Sequence, residues 1–215
     1  MLTPDLVIEA YRQGLFPMSY SADSPYVHWV CPEMRGQLSI RRIHFSRSLI
    51  KTIRGELYAV RVNTDFEGVI TGCAAPTDKR PDTWINDHII DVYTRLHRKG
   101  YAHSVECWQG DQLVGGIYGL AIGGAFFGES MFSFARDASK IALAHLTARL
   151  WQGGFTLFDT QFVNDHLQQF GVYEIPHKEY MKRLNASLSQ KSDFMMGGQD
   201  IDEQALFFDY LERRV

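Results

Sequence analysis

The chain has 215 residues, of which 45% are hydrophobic and 22% are charged, as is ordinary for a soluble globular protein. Its net charge of −3 argues against a surface coated in phosphate-binding residues, and no apolar run is long enough to span a membrane. The N-terminus carries no basic-then-apolar export signal. Because Cys31, Cys73 and Cys107 form no CxxC pair and no metal-spaced cluster, reduced thiols in the cytoplasm are expected.

The first half of the chain is predicted to alternate short helices and strands. Thr3 before Pro4 is an N-cap signal, and Gly14 is expected to end the helix that they begin. Residues 15–18 are expected to form an extended apolar loop. The elements predicted next are strands at 28–32 and 37–40, a helix at 46–54, a strand at 58–63, a helix at 65–74, a loop at 75–81 and a helix at 85–99.

The second half of the chain is organised around a hairpin, a helix and a strand. Apolar runs at 114–120 and 125–132 flank a Gly-Gly pair, which predicts a hairpin. A helix is expected from residue 137 or 139 to residue 151. Its apolar stripe consists of Ala142, Leu143, Leu146 and Leu150. The other predicted elements are strands at 103–108 and 155–163 and helices at 164–170, 178–188 and around 206–211. Together they indicate an α+β or mixed α/β fold.

Three polar residues interrupt the apolar central stretch. Glu129 lies in the second hairpin strand, and alternation along the strand at 155–163 places Asp159 and Gln161 on one face, roughly 6.5–7 Å apart. No Gly-x-Ser-x-Gly elbow, Walker loop or metal-ligand cluster is present, which leaves a pocket chemistry based on these three side chains. The structural alternatives are an outward-facing or ion-paired Glu129 and a polar face on an edge strand.

Motifs spread over nearly the whole chain carry a family resemblance. They are YRQGLFPM, WVCPEMR, VGGIYG, FFGESMFS, ASK and FDTQFVNDHLQQFGVYEIP. Through them the chain closely resembles the leucyl/phenylalanyl-tRNA–protein transferase family from about residue 3 to residue 184. The resemblance implies an α+β fold, with a small N-terminal α/β domain at 1–62 and a GCN5-related N-acetyltransferase (GNAT)-like domain at 63–215.

The resemblance also implies an activity. Members move Leu or Phe, and by expectation Met, from Leu-tRNA or Phe-tRNA to the N-terminal Arg or Lys of a protein, which is thereby tagged for N-end rule degradation. An aminoacyl ester is already activated, so neither a metal nor a cofactor is expected. The expected partners are the acceptor stem and 3′ adenosine of the tRNA and the acceptor protein, without a membrane.

In the family scheme, the positions that match Asp159 and Gln161 handle the proton of the attacking amine. Our physical interpretation is that Gln161 accepts a hydrogen bond from the amine, while Asp159 fixes the Gln161 amide and stabilises the developing ammonium. Glu129 is expected to contact either the cationic side chain of the acceptor or the amino group of the donor.

The resemblance further implies which residues bind the donor. They are Trp84, Ile117, Phe126, Gly128, Met131 and Phe158. Trp84 is expected to stack on the terminal adenosine. Leu146 and Leu150 also match pocket positions, but for them packing in the core is the interpretation we favour.

A basic segment is the expected surface for the tRNA acceptor stem. Its residues are Arg35, Arg41, Arg42, Arg47, Lys51 and Arg54, followed by Arg61. Contacts to phosphates there would be salt-sensitive and indifferent to sequence. The alternative is a solvated basic surface with no ligand.

Three other functions are weighed against the transferase. An acyl-CoA-dependent N-acyltransferase of the same fold would need a glycine-rich pyrophosphate loop, which residues 133–139 do not contain. A peptidoglycan-bridge aminoacyl-tRNA transferase would be longer and would carry a coiled-coil arm. A non-catalytic tRNA-binding module would not require Asp159 and Gln161 together.

Overall fold

A computed structural model describes residues 2–77, 81–198 and 200–214. Helix α1 (Pro4–Arg12) is capped as predicted, because the Thr3 side chain accepts a hydrogen bond from the Leu6 backbone amide. Strand β1 (Phe16–Ser19) replaces the predicted loop and pairs antiparallel with strand β2 (Val27–Val30). Proline is tolerated in β1 because a two-stranded sheet leaves an edge on each strand.

The remaining elements follow the predicted order, except that strand β9 (Tyr173–Pro176) was not predicted. They are β3 (Met34–Leu38), α2 (Arg47–Arg54), β4 (Ala59–Val62), α3 (Phe66–Ala74), α4 (Asp87–Arg98), β5 (Ala102–Gln109), β6 (Gln112–Ile122), β7 (Ala125–Ser133), α5 (Ala138–Gln152), β8 (Leu157–Gln161), α6 (Asp165–Gln168), β9 (Tyr173–Pro176), α7 (His177–Leu188) and α8 (Glu203–Arg213). Residues 78–80 of the predicted loop lie outside the described residues.

A mixed sheet of seven strands has the order β4-β5-β6-β7-β8-β3-β9. Strands β7 and β8 pair in parallel, and the other neighbours pair antiparallel. Helices α2, α5 and α8 contribute to the core on one face, and helices α1, α3, α4 and α7 contribute to the core on the other. The predicted α+β class is confirmed, whereas the GNAT-like architecture stays a prediction.

The predicted domain boundary at residues 62 and 63 falls inside this sheet. Strands β3 and β4 precede the boundary, yet β3 pairs with β8 and β4 pairs with β5. Residues 1–62 therefore contain the separate two-stranded sheet of β1 and β2 and also contribute two strands to the seven-stranded sheet, and the division into two domains stays a prediction.

Helix α5 is buried on every side rather than along one stripe. Twelve of its fifteen residues are buried, including His145 and Arg149. Helix α8 covers the side that faces away from the sheet, through Phe207 and Tyr210. The sequence predicted a single apolar stripe, because the covering helix lies more than fifty residues later in the chain and its position could not be foreseen. No described helix is long and apolar enough to cross a membrane.

Candidate active site

A cavity of about 630 Å³ lies where β7 and β8 separate. The two strands pair only between Ala125–Phe127 and Leu157–Asp159, although β7 continues to Ser133. Ile117 and Phe158 line the cavity from one core of the sheet, and Phe132 lines it from the other. Pockets at the carboxyl ends of parallel strands are common binding sites in sheets of this kind.

A β-bulge aims Glu129 at this cavity. Tyr118 pairs with Ser130 and Gly119 pairs with Gly128, so Glu129 has no opposed residue on β6. An unpaired extra residue bends the strand and redirects its side chain, which is why bulges are common beside active sites. The sequence singled out Glu129 but gave no sign of the bulge.

The Glu129 carboxyl is buried and only partly satisfied. Its Oε1 accepts hydrogen bonds from the Tyr11 hydroxyl at 2.7 Å and from Gln161 Nε2 at 3.0 Å. The Tyr11 hydroxyl is in turn 2.5 Å from the Tyr93 hydroxyl. Its Oε2 has no hydrogen-bond partner among the described residues. Burial raises the pKa of Glu129 to about 7, although the hydrogen bonds from Tyr11 and Gln161 oppose the shift.

Both the backbone and the side chain of Gln161 are fixed in position. Its φ is +62°, in the left-handed region that non-glycine residues seldom adopt. Gly36 pairs with Gln161 and Gln37 pairs with Asp159, so Thr160 is bulged out of β8. A side chain on Gly36 would not fit there, because a Cβ would lie 2.7 Å from the Phe162 carbonyl carbon.

Asp159 holds the backbone of Gln161 rather than its side chain. Its Oδ1 accepts a hydrogen bond from the Gln161 backbone amide at 2.8 Å, and its Oδ2 accepts one from the Tyr180 hydroxyl at 2.7 Å. The Gln161 side-chain amide instead donates to Glu129. The expectation that Asp159 fixes the side-chain amide of Gln161 is therefore corrected. Asp159 is fully buried and does not line the cavity.

Arg35 is the partner that the sequence did not predict for Asp159. Its guanidinium contacts both carboxylate oxygens, at 2.8–3.1 Å, and lies between the rings of Phe16 and Tyr180. Its Nη1 donates to the Gly14 carbonyl oxygen at 2.8 Å. Burial alone would lower the pKa of Arg35, but the Asp159 charge raises it above its ordinary value.

The assignment of Arg35 to tRNA binding is thus wrong, because this side chain has no exposed surface. The other predicted basic residues are exposed. Arg47, Lys51 and Arg54 lie on α2, and Arg41 and Arg42 precede that helix. A charged residue inside a basic segment of sequence can be the buried one, and the sequence alone does not reveal which.

The cavity wall contains most of the residues predicted to bind the donor. They are Trp84, Ile117, Gly128, Met131 and Phe158. Leu143 of α5 and Leu167 of α6 also line it and were missed, since neither was expected to face the cavity. A Cβ on Gly128 would lie 3.1 Å from the Phe158 ring, so a larger residue would crowd the cavity.

Phe126 does not line the cavity and is corrected to a supporting role. It is fully buried, and its ring packs edge-on against the Phe158 ring with 5.8 Å between centroids. Leu146 and Leu150 are fully buried core residues, in agreement with the interpretation we favoured. Among the described residues, no group of three or more His, Cys, Asp or Glu side chains could hold a metal ion.

Comparisons with known proteins agree with one another. A family model described as leucyl/phenylalanyl-tRNA protein transferase matches residues 37–185, and a model of the N-terminal domain of the same family matches residues 1–33. A protein of Rhodopseudomonas palustris (strain TIE-1), named leucyl/phenylalanyl-tRNA–protein transferase, is 51% identical over 193 residues, which cover 90% of this chain and 86% of the relative. A protein of Maricaulis maris (strain MCS10) with the same name is 50% identical over 188 residues, covering 87% of each chain.

A solved structure is similar at a much lower level. It is the C-terminal domain (DUF2156) of a proposed lysylphosphatidylglycerol synthetase from Agrobacterium fabrum, with a TM-score of 0.36 and 11% sequence identity. The alignment covers 96% of this chain and 62% of the solved one. A likeness this distant carries no argument about fold or function.

Proposed function

The chain belongs to the leucyl/phenylalanyl-tRNA protein transferase family, and we propose that it moves a leucyl or phenylalanyl group from tRNA to the N-terminal Arg or Lys of a protein. The observation that carries this proposal is Glu129, a carboxyl in the wall of a largely apolar cavity, and one oxygen of that carboxyl has no hydrogen-bond partner among the described residues. Such a cavity suits an apolar aminoacyl group, and the carboxyl suits an amine.

The chemistry needs positioning more than activation. The α-amino group of the acceptor has an ordinary pKa near 7.7–8.0, so part of it is neutral near pH 7. The amine nitrogen bonds to the ester carbon, and the bond from that carbon to the ribose oxygen breaks. Holding the two reactants in attack geometry can lower the barrier by roughly 7–11 kcal/mol.

We assign Glu129 as the group that accepts the proton of the attacking amine and later donates it. Its unpartnered Oε2 accepts the proton that the amine loses on attack, and the carboxyl then returns that proton to the leaving ribose oxygen. A pKa of about 7 suits both steps, because a general base works best when its pKa lies near the working pH. The side-chain carbonyl oxygen of Gln161 accepts a hydrogen bond from the incoming amine and so orients it.

Asp159 acts through Gln161 and is a positioning residue. Its buried carboxylate fixes the Gln161 backbone, while Arg35 and Tyr180 fix the carboxylate. Gln161 Nε2 then holds Glu129 Oε1, and Oε2, which has no hydrogen-bond partner among the described residues, remains to receive the proton. Arg35 thus holds the Asp159 carboxylate, Asp159 holds the Gln161 backbone, and the Gln161 side chain holds Glu129.

The donor is selected by the apolar wall and by one aromatic ring. Ile117, Met131 and Phe158 would enclose the leucyl or phenylalanyl side chain, and Trp84 would stack on the terminal adenosine. Arg47, Lys51 and Arg54 of α2 would contact tRNA phosphates, so transfer would weaken with rising salt. The modified acceptor would enter N-end rule degradation.

Label transfer tests the proposal directly. The purified chain is mixed with tRNA that carries labelled leucine and with two peptides that differ only in beginning with Arg or with Ala. Label in the Arg peptide alone, and its loss in Glu129→Ala, is the expected result. If tRNA binds but no label moves, the chain is a non-catalytic tRNA-binding module. If acyl-CoA serves as the donor in place of the tRNA, the donor assignment fails.

A further inference from the structure

A second cavity, of about 350 Å³, lies at the opposite end of β8 from the candidate active site. Arg41 and Arg42 line it from the turn after β3, Trp151 from the end of α5, Tyr173 from β9 and Arg183 from α7. None of its described lining residues is an aspartate or a glutamate. The cavity therefore brings three guanidinium groups and two large aromatic rings to one place.

The three arginines are available to a ligand to different degrees. Arg41 and Arg42 are exposed, and their side chains make no ion pair with a described residue. Arg183 is held in place, since its Nε donates to Glu179 at 3.0 Å and its Nη1 donates to the Tyr173 hydroxyl at 3.1 Å. One fixed guanidinium beside two free ones suits a group that carries negative charge on several oxygen atoms, such as phosphate.

The aromatic rings add a second recognition element. Tyr173 is 38% exposed, so part of its side chain is accessible to a ligand. Trp151 is half-buried, with the Arg213 guanidinium 5.4 Å from its ring centroid. Basic side chains beside an open aromatic face are the usual components of a site for single-stranded nucleic acid, where a base stacks and phosphates are neutralised.

The position of this cavity suggests the source of the nucleotide. Thr156 lines it and Thr160 lines the candidate active site, and Phe158 lines both. Four residues of strand span about 13 Å, which is the axial rise of roughly four stacked nucleotides. A polynucleotide whose 3′ end occupied the candidate active site could reach this cavity within a few nucleotides.

We propose that this cavity binds a nucleotide unit of the donor tRNA upstream of its 3′ adenosine, with phosphate on Arg41, Arg42 and Arg183 and a base on Tyr173. The proposal rests on the proposed function, because it takes tRNA as the donor. It adds a binding site separate from the active-site cavity and from the basic surface of α2. Arg41 and Arg42 belong to the basic segment that was predicted from the sequence, whereas Tyr173 of β9 and Arg183 of α7 lie outside it.

Two donors separate this inference from the proposed function. One is Leu-tRNA, and the other is 3′-leucyl-adenosine, which lacks every upstream phosphate. In the double variant Arg41→Glu/Arg42→Glu, the KM for Leu-tRNA should rise at least about tenfold. The slope of log KM against log salt concentration should become shallower by the equivalent of about one or two phosphate contacts. The KM for leucyl-adenosine should not change. Arg12→Glu/Lys191→Glu makes the same change in net charge at exposed positions outside both cavities and should leave the KM for both donors near the native values.

An unchanged KM for Leu-tRNA in the double variant would overturn the inference, and so would an equal rise for both donors. A native chain that uses neither donor would overturn the proposed function instead. Adenosine monophosphate tests whether the cavity binds a free nucleotide instead of a nucleotide unit of tRNA. If it quenches Trp151 fluorescence saturably while the double variant uses Leu-tRNA normally, the cavity holds a free nucleotide and the assignment to tRNA is wrong. Loss of the quenching in Trp151→Phe identifies the reporter.

Discussion

Two buried arginines are held in the same way but serve different parts of the molecule. The Arg35 guanidinium contacts both carboxylate oxygens of Asp159, and the Arg149 guanidinium contacts both oxygens of Glu203. Each also donates from Nη1 to a backbone carbonyl oxygen, at 2.8 Å and 3.0 Å respectively. Neither arginine is more than 1% exposed. The two ion pairs are thus close to identical in local chemistry.

The difference lies in what each carboxylate contacts next. Asp159 also holds the backbone of Gln161, whose side chain holds Glu129 in the cavity wall. Glu203 is the first residue of α8, so its pair with Arg149 fixes the C-terminal helix on α5. A buried ion pair is weak support for stability in itself, and its value depends on the geometry that it imposes. Here one pair sets the geometry of the active site and the other sets the docking of a helix.

The largest expected effect is that of Arg35→Met. It leaves the fully buried Asp159 without its cationic partner, so the free energy of unfolding should fall by about 3–5 kcal/mol. Displacement of Gln161 and Glu129 should also lower the rate of leucyl transfer by about 100-fold or more. Urea unfolding and single-turnover transfer measure the two effects. Native transfer by the folded variant would show that Arg35 does not position the site.

Arg149→Met is the matched control for that result. Glu203 is 10% exposed and can reach water when α8 loosens, so the loss in free energy of unfolding should be smaller, up to about 3 kcal/mol. The folded fraction should transfer leucine at close to the native rate. A rate loss as large as that of Arg35→Met would contradict the division of roles. If either Met variant does not fold, Arg35→Lys and Arg149→Lys keep the charge, remove the two-pronged contact and allow the same comparison.

Glu129→Gln is expected to have a smaller effect, and it should raise the free energy of unfolding relative to the native chain as pH rises, rather than lower it. The pKa of Glu129 is raised from 4.5 to about 7, so the folded state binds more protons than the unfolded state between those pH values. The contribution of Glu129 to the free energy of unfolding is therefore fully favourable below pH 4.5 and is lost as pH rises towards 7, by roughly 3 kcal/mol. Gln removes this dependence, so the variant should gain stability relative to the native chain between pH 5 and pH 8. Urea unfolding at the two pH values tests this, and a difference that does not change with pH would contradict it.

Local signals in the sequence accounted for most of the helices and strands. Thr3 was predicted to cap a helix, and Ser46 and Asp65 were placed at helix starts; all three side chains accept a capping hydrogen bond. The hairpin of β6 and β7 formed around its glycine pair as expected. These features depend on a few neighbouring residues, so a single sequence contains the information that specifies them.

The arrangement of the candidate site depends on contacts between distant segments. Arg35 is buried because Gly14, Asp159 and Tyr180 meet around it, and none of these lies within twenty residues of it in sequence. The bulges at Glu129 and Thr160 arise from the register of neighbouring strands, which alternation alone does not reveal. The sequence therefore identified the polar residues of the site but not which of them faces the cavity.

The pH dependence of transfer at saturating donor and acceptor tests the central assignment most directly. If Glu129 takes the proton of the amine, kcat of the native chain should rise with a pKa near 7, in addition to the ionisation of the amine itself. In Glu129→Gln the component near 7 should vanish, and kcat should be much lower. The same pH profile in both proteins would contradict the account. A component near 7 that affects only the KM for Leu-tRNA would also contradict it, because Glu129 would then bind the donor amino group rather than carry the proton.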